Sequence, residues 1–193
     1  MQHYLDITLL PNDEIGHYFL WSKIYQQMHL ALVEFGRGQV GFAFPEYSSG
    51  QPRLGRKLRV FASSADVLTQ LNVSKWLSRL MDYCHVTSIR AVPEHAQYAL
   101  FTRKQCESNP ERLARRRAKR KGVTLEQARE HFAGFEGEFT KLPFVDFESL
   151  SSPAADNNNH RFKLFIGRQL FKAPKKGDFN CYGLSQTATV PWF

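Results

Sequence analysis

The stretch 3–35, HYLDITLLPNDEIGHYFLWSKIYQQMHLALVEF, changes period halfway along. From His3 to Leu10 the residues alternate, with Leu5, Ile7 and Leu9 on one side and Tyr4, Asp6 and Thr8 on the other, as a half-buried strand requires. Pro11 and Asn12 end that strand. From His17 to Phe35 the apolar positions Leu20, Trp21, Ile24, Tyr25, Met28, Ala31, Leu32 and Phe35 recur at helical spacing, and Gly36 supplies the stop. A strand therefore feeds a long amphipathic helix.

Two further strands are expected at Gln39–Phe44 and Lys57–Ala62, joined by a polar loop from Pro45 to Gly55. Val67, Leu68, Leu71, Trp76, Leu77 and Leu80 return to helical spacing with a break near Asn72, and a last strand is expected from Val86 to Val92. The order strand, helix, strand, strand, helix, strand is that of a ferredoxin-like domain, in which two βαβ halves share one antiparallel sheet. Regularity changes near Pro93, so the expected domains are 1–93 and 94–193, within an α+β fold. The second half is irregular. Its expected elements are a strand at Gln97–Gln105, a basic helix, a short helix opened by Thr124 with Gln127 at capping-box spacing, and strands at Phe144–Phe147 and Arg161–Ile166. The intervening ESLSSPAADNNNH is too poor in apolar residues to be ordered by burial.

Charge is concentrated in that second half. Arg103–Lys121 holds nine of the 26 Lys and Arg residues against two of the 18 acidic ones, Glu107 and Glu111, and so carries seven of the eight net positive charges. Such clustering points to a polyphosphate partner, because cations gain affinity by releasing the counterions condensed on a nucleic acid. Asn109 suits the helix N-cap, Pro110 its first turn and Gly122 its left-handed stop. At about 100° per residue, Arg112, Arg115, Arg116, Lys119 and Arg120 fall within an arc of roughly 140°. Leu113, Ala114 and Ala118 face elsewhere, too little apolar surface for a membrane-binding helix.

The remaining composition, 193 residues and 42% hydrophobic, suits one or two small globular domains. The N-terminus lacks the features of a secretory signal and no run is long enough to cross a bilayer, so a cytoplasmic protein with no membrane partner is expected. Cys84, Cys106 and Cys181 are odd in number and far apart, indicating buried or half-buried thiols rather than disulfides or zinc ligands. Among seven histidines there is no H-E-x-x-H, and the acidic residues are dispersed, so no metal or other cofactor is expected. RNA cleavage needs none, because the 2′-hydroxyl can attack the adjacent phosphate while one histidine of near-neutral pKa moves the proton. His29, at the rim of its helix about 40° beyond Tyr25, is the best placed. His3, His17, His85, His95, His131 and His160 are weaker candidates.

HYLDI near the N-terminus, His29, QCESNPERLARRRAKRKG, LPF at 142–144, HRFKLFI, CYGLS and the terminal VPWF together resemble the type I-F CRISPR-associated pre-crRNA processing endoribonucleases, the Cas-six subtype f or Csy-four family. The resemblance spans essentially the whole chain. It implies a ferredoxin-like (RAMP-type) N-terminal domain and a C-terminal half whose arginine-rich helix lies in the major groove of a CRISPR repeat hairpin. It also implies metal-independent cleavage of pre-crRNA at the 3′ base of the stem, leaving a 2′,3′-cyclic phosphate. It further implies that the product crRNA hairpin stays bound and that the protein becomes a subunit of the type I-F surveillance complex.

Residue by residue, the resemblance puts His29 at the general-base position, Ser149 on the serine that holds the 2′-hydroxyl, with Ser151 as the alternative register, and Tyr182 on the tyrosine that orients the histidine. Arg103 and Gln105 fall where bases of the lower stem are read. Arg115, Arg116, Lys119 and Arg120 form the phosphate-contacting stripe, and Phe162 stacks on the terminal base pair. The physical chemistry is compatible. A narrow A-form major groove opens near a helix end, so a short hairpin admits such a helix. Arginine's fork reads guanine bidentately, whereas Lys119 adds charge without selectivity. Trp192 and Phe193 are expected to pack rather than stack on RNA. Without the resemblance, the rival readings are a non-catalytic RNA-hairpin-binding protein and a DNA-binding regulator.

Overall fold

The alternating stretch at the N-terminus forms β1 (His3–Leu9) and lies inside a mixed antiparallel architecture. The computed structural model describes residues 1–35, 38–106, 110–135, 140–148 and 161–193. After β1 come α1 (His17–Phe35), β2 (Val40–Ala43), β3 (Lys57–Ala62), α2 (Ala65–Leu71), α3 (Val73–Trp76), β4 (Cys84–Val86) and β5 (Arg90–Ala91). The strands form one antiparallel sheet in the order β2-β3-β1-β4, with β5 also on β1. Combined with the chain order, this is the ferredoxin-like arrangement expected from the sequence. Asn72 breaks the second helical stretch as expected. It takes a left-handed conformation, φ 49°, and its side-chain oxygen caps α3 by accepting from the Lys75 N–H.

A second antiparallel sheet is built from β6 (Gln97–Lys104), β7 (Phe144–Glu148), β8 (Arg161–Phe171) and β9 (Val190–Trp192), in the order β7-β8-β6-β9. The boundary expected at residue 93 falls between the two sheets. Both sheets nevertheless share one hydrophobic core and belong to one compact unit, residues 1–104 with 142–193. Tyr25 of α1 shows why: its fully buried ring meets Phe42 of β2 and Phe44 as well as Phe147 of β7. Residues 105–141 form a second unit, containing α4 (Pro110–Lys121) and α5 (Leu125–His131).

Three sequence expectations change. β1 is not half-buried: Tyr4 and Asp6, on its supposed solvent side, are both buried. The C-terminus covers them, with the Phe193 ring edge-on to Tyr4 at 5.1 Å. Arg59 pairs with Asp6 through two hydrogen bonds of 2.7 and 3.0 Å and also donates to the Phe193 carbonyl. Phe193 and Trp192, which lies 5.9 Å from Phe101, do pack as expected. The strand expected at 86–92 is instead two short strands, because Thr87 turns onto Asp6: its hydroxyl accepts the Asp6 N–H while its own N–H donates to the Asp6 carbonyl. Finally, β8 runs five residues beyond its expected end and β9 was not anticipated. Asn109, Gly36 and the polar segment after Glu148 lie outside the described residues.

Candidate active site and nucleic-acid interface

His29 stands on the stripe of α1 that faces β7, with its imidazole edge-on to the Phe147 ring at 5.5 Å. Its Nδ1 is 2.7 Å from the carbonyl oxygen of Cys181. A carbonyl only accepts, so Nδ1 carries the hydrogen, and in the neutral ring Nε2 keeps its lone pair. One face of the imidazole is covered by Tyr182, whose ring is stacked on it at 4.5 Å and 8° from parallel. Burial holds the His29 pKa below its ordinary 6.5; the Arg103 charge pushes the same way, and the hydrogen bond to Cys181 pushes back. At neutral pH the ring is therefore an uncharged base with a fixed tautomer and orientation.

The Cys181 carbonyl is itself held by a tight turn. Asn180 accepts the Tyr182 and Leu184 N–H groups on its side-chain oxygen, at 2.8 and 3.2 Å, while its backbone N–H and carbonyl bond Leu184 and Gly183. Gly183 closes the turn at φ 68° with its carbonyl accepting from the Phe42 N–H, and a Cβ there would run into the Phe42 ring. The Tyr25 hydroxyl, deep in the core of α1, donates to the Tyr182 carbonyl at 2.7 Å. Burial pushes the Tyr25 phenol well above its usual value, so it stays a donor. Through this turn, the first sheet and α1 together set where the imidazole points.

Beside the stacked pair, the Arg103 guanidinium from β6 lies 5.0 Å over the Tyr182 ring and 5.3 Å over the Phe162 ring of β8. Phe147 joins these parts, stacked on Phe162 at 5.6 Å and edge-on to Tyr182 at 5.3 Å. The structure thus brings His29, Tyr182, Arg103 and Phe162 into one aromatic and cationic cluster. Ser149 and Ser151 lie outside the described residues. Glu148, immediately before Ser149, donates its backbone N–H to Gln26 Oε1 on α1, at 3.4 Å.

In the second unit α4 forms as the sequence predicts, ending at Gly122 with φ 66°. Its Ala114 is fully buried, as is Ala128 of α5, whose N-terminus carries the expected Thr124–Gln127 capping box. Glu111 accepts two hydrogen bonds from Arg129, at 2.8 and 2.9 Å, and one of 3.4 Å from Arg115. Arg129, and secondarily Arg115, lower the Glu111 pKa. Because Arg129 holds this carboxylate, Arg115 can turn to another anion without leaving it unpaired. Arg112, Arg115, Arg116, Lys119 and Arg120 are all exposed. Gln105 is exposed in the same unit.

Sequence reasoning missed Phe147, Cys181, Tyr25 and Gly183. Only Gly183, inside CYGLS, left a usable signal, since a glycine in a polar turn marks a conformation other residues avoid. The role of Cys181 belongs to its backbone, which no side-chain pattern encodes.

Comparison with known proteins agrees over the full length. A family model described as "CRISPR-associated protein (Cas_Csy4)" matches residues 4–193. The chain is 40% identical over 194 residues to the CRISPR-associated endonuclease Cas6/Csy4 of Escherichia coli (strain UTI89 / UPEC), covering all of both chains. It is 38% identical, again over all of both, to the protein of that name from Pseudomonas aeruginosa (strain UCBPP-PA14). A solved structure titled "An RAMP protein binding different RNA substrates" aligns over 98% of this chain and 99% of its own, with 12% identity and a TM-score of 0.34, a likeness on which nothing further rests.

Proposed function

Because the chain belongs to the Cas_Csy4 family of CRISPR-associated proteins, we propose that it is the endoribonuclease that processes pre-crRNA, cutting each repeat hairpin at the 3′ base of its stem. The observation that carries this reading is the His29 imidazole, whose Nδ1–H is tied to the Cys181 carbonyl so that Nε2 presents a lone pair beside Arg103. Nε2 takes the proton of the 2′-hydroxyl, O2′ bonds to phosphorus, and the P–O5′ bond breaks as the 5′ oxygen takes a proton from water, the imidazolium then returning its own proton to water. The products are a 2′,3′-cyclic phosphate and a 5′-hydroxyl. Since the nucleophile is part of the substrate, no metal or cofactor is required. Ser149, directly after Glu148, holds the 2′-hydroxyl, with Ser151 as the alternative.

Arg103 and Gln105 read bases of the lower stem, and Phe162 stacks on its last pair. Arg112, Arg115, Arg116, Lys119 and Arg120 grip the phosphates of the groove. The enzyme acts in the cytoplasm, keeps the cleaved hairpin and joins the other subunits of the type I-F surveillance complex; among the described residues no helix is long and apolar enough to cross a membrane. The test is cleavage of a repeat-hairpin RNA in excess EDTA by the natural chain and by His29→Ala. Cutting by the first, and retained binding without cutting by the second, is expected. Abolition by EDTA overturns the metal-free route, and undiminished cutting by His29→Ala removes the base.

A further inference from the structure

Upstream of His29 on α1, Tyr18 keeps 64% of its surface exposed. Its ring lies over that of Phe144 at the start of β7, centroids 6.3 Å apart and planes 26° from parallel. At about 100° per residue, Tyr18 and Ser22 fall within about 20° of His29, so the three share one stripe of the helix. β7 runs alongside that stripe: the Ser22 hydroxyl donates to the Asp146 carbonyl at 2.8 Å, and Gln26 accepts the Glu148 N–H. A seam therefore leads from His29 to Tyr18, about 16 Å at 1.5 Å per helical residue.

The two ends of this seam differ. At the His29 end, Phe147 is paired with Phe162 of β8, where the base of the stem is proposed to stack. At the other end Phe144 is paired with Phe165, edge-on at 5.5 Å, and the Lys163 ammonium sits 4.3 Å from the Phe144 centroid. Asp146, exposed and opposite Lys163 in register, balances that charge. The platform thus offers ring surface more than net charge. An exposed ring backed by a second ring and bordered by a cation is the arrangement on which single-stranded bases stack.

Resting on the hairpin reading above, we infer that the Tyr18–Phe144 pair receives a base of the single-stranded RNA that continues 3′ of the scissile phosphate. A strand that leaves the stem at Phe162 and passes His29 has the seam before it, and Tyr18 is where the seam presents an open aromatic face. The enzyme then holds its substrate on both sides of the cut, and loses the downstream hold once the bond is broken.

The test uses two hairpin RNAs with a 2′-deoxy nucleotide at the cut site, one ending there and one extended downstream, the latter carrying 2-aminopurine at successive downstream positions. With the natural chain, one downstream position is expected to be quenched, and Tyr18→Phe should retain the effect. Tyr18→Ala and Tyr18→Leu should lose it, and their loss of affinity for the extended RNA should exceed that for the RNA ending at the cut by about five- to a hundredfold. No quenched downstream position, or equal losses on both RNAs, overturns the platform; equal losses would mark Tyr18 as a packing residue. Binding of neither RNA by the natural chain overturns the hairpin reading and the platform with it. Equal binding of both RNAs by all four proteins overturns the platform alone.

Discussion

The ring of Tyr182 lies flat on the imidazole of His29, 4.5 Å between centroids, while the carbonyl of the preceding residue, Cys181, takes the imidazole's Nδ1 hydrogen. One dipeptide therefore fixes both the plane and the tautomer of the proposed base. The two constraints are separable, since the first is made by a side chain and the second by the backbone.

The titration of His29 should show in the rate. Its folded-state pKa is lowered, chiefly by burial, and only the neutral ring accepts a proton. The value of kcat/KM on a repeat hairpin should then rise with pH through a midpoint below 6.5 and level off above it. The measurement is single-turnover cleavage at sub-saturating enzyme across that range. A midpoint above 6.5 would contradict the buried, uncharged base.

Tyr182→Phe keeps the stacked ring and should retain most of kcat. Tyr182→Ala frees one face of the imidazole and should lower kcat by up to about 10²-fold, the scale of a misplacement near 1 Å, with KM less affected. Rates at saturating RNA decide it, and equal rates for the two variants would mean that the ring does not orient the base.

Gly183→Ala strains the turn that presents Cys181. The left-handed conformation costs about 1–2 kcal/mol for an alanine, and crowding against Phe42 adds about 1–3 kcal/mol. A lower Tm in thermal unfolding, together with slower cleavage by the folded fraction, is expected. An unchanged Tm would show that the Phe42 region gives way without cost.

Replacing Arg115, Arg116, Lys119 and Arg120 by alanine should flatten the dependence of log K on log salt by about 0.7 to 0.9 per lost phosphate contact. Titration of hairpin RNA at several salt concentrations measures this slope. An unaltered slope would mean that the stripe faces something other than phosphate.

Local signals carried much of the fold. The helical spacing from Leu20 to Phe35 matches α1, and Asn72, placed between two apolar runs, breaks the second helical stretch where expected. Both depend on contacts within one or two turns. The strand expected at 86–92 failed because its interruption is made by Asp6, far away in sequence. β9 escaped notice because three residues with a central proline read as coil until β6 pairs with them.

By itself the sequence determined the ferredoxin-like order of elements, the cationic helix and, through its motifs, the family, with His29, Tyr182, Arg103 and Phe162 among the candidates that the resemblance named. The order of elements and the helix rest on periodicity and residue type, the family on its motifs, and all of these are written along the chain. The tertiary structure alone decided that the two sheets share one core, that Phe147 joins these four residues, and which nitrogen of His29 keeps its lone pair. That last choice is made by a backbone carbonyl 152 residues away. Every residue carries such a carbonyl, and only folding selects the one that meets the imidazole.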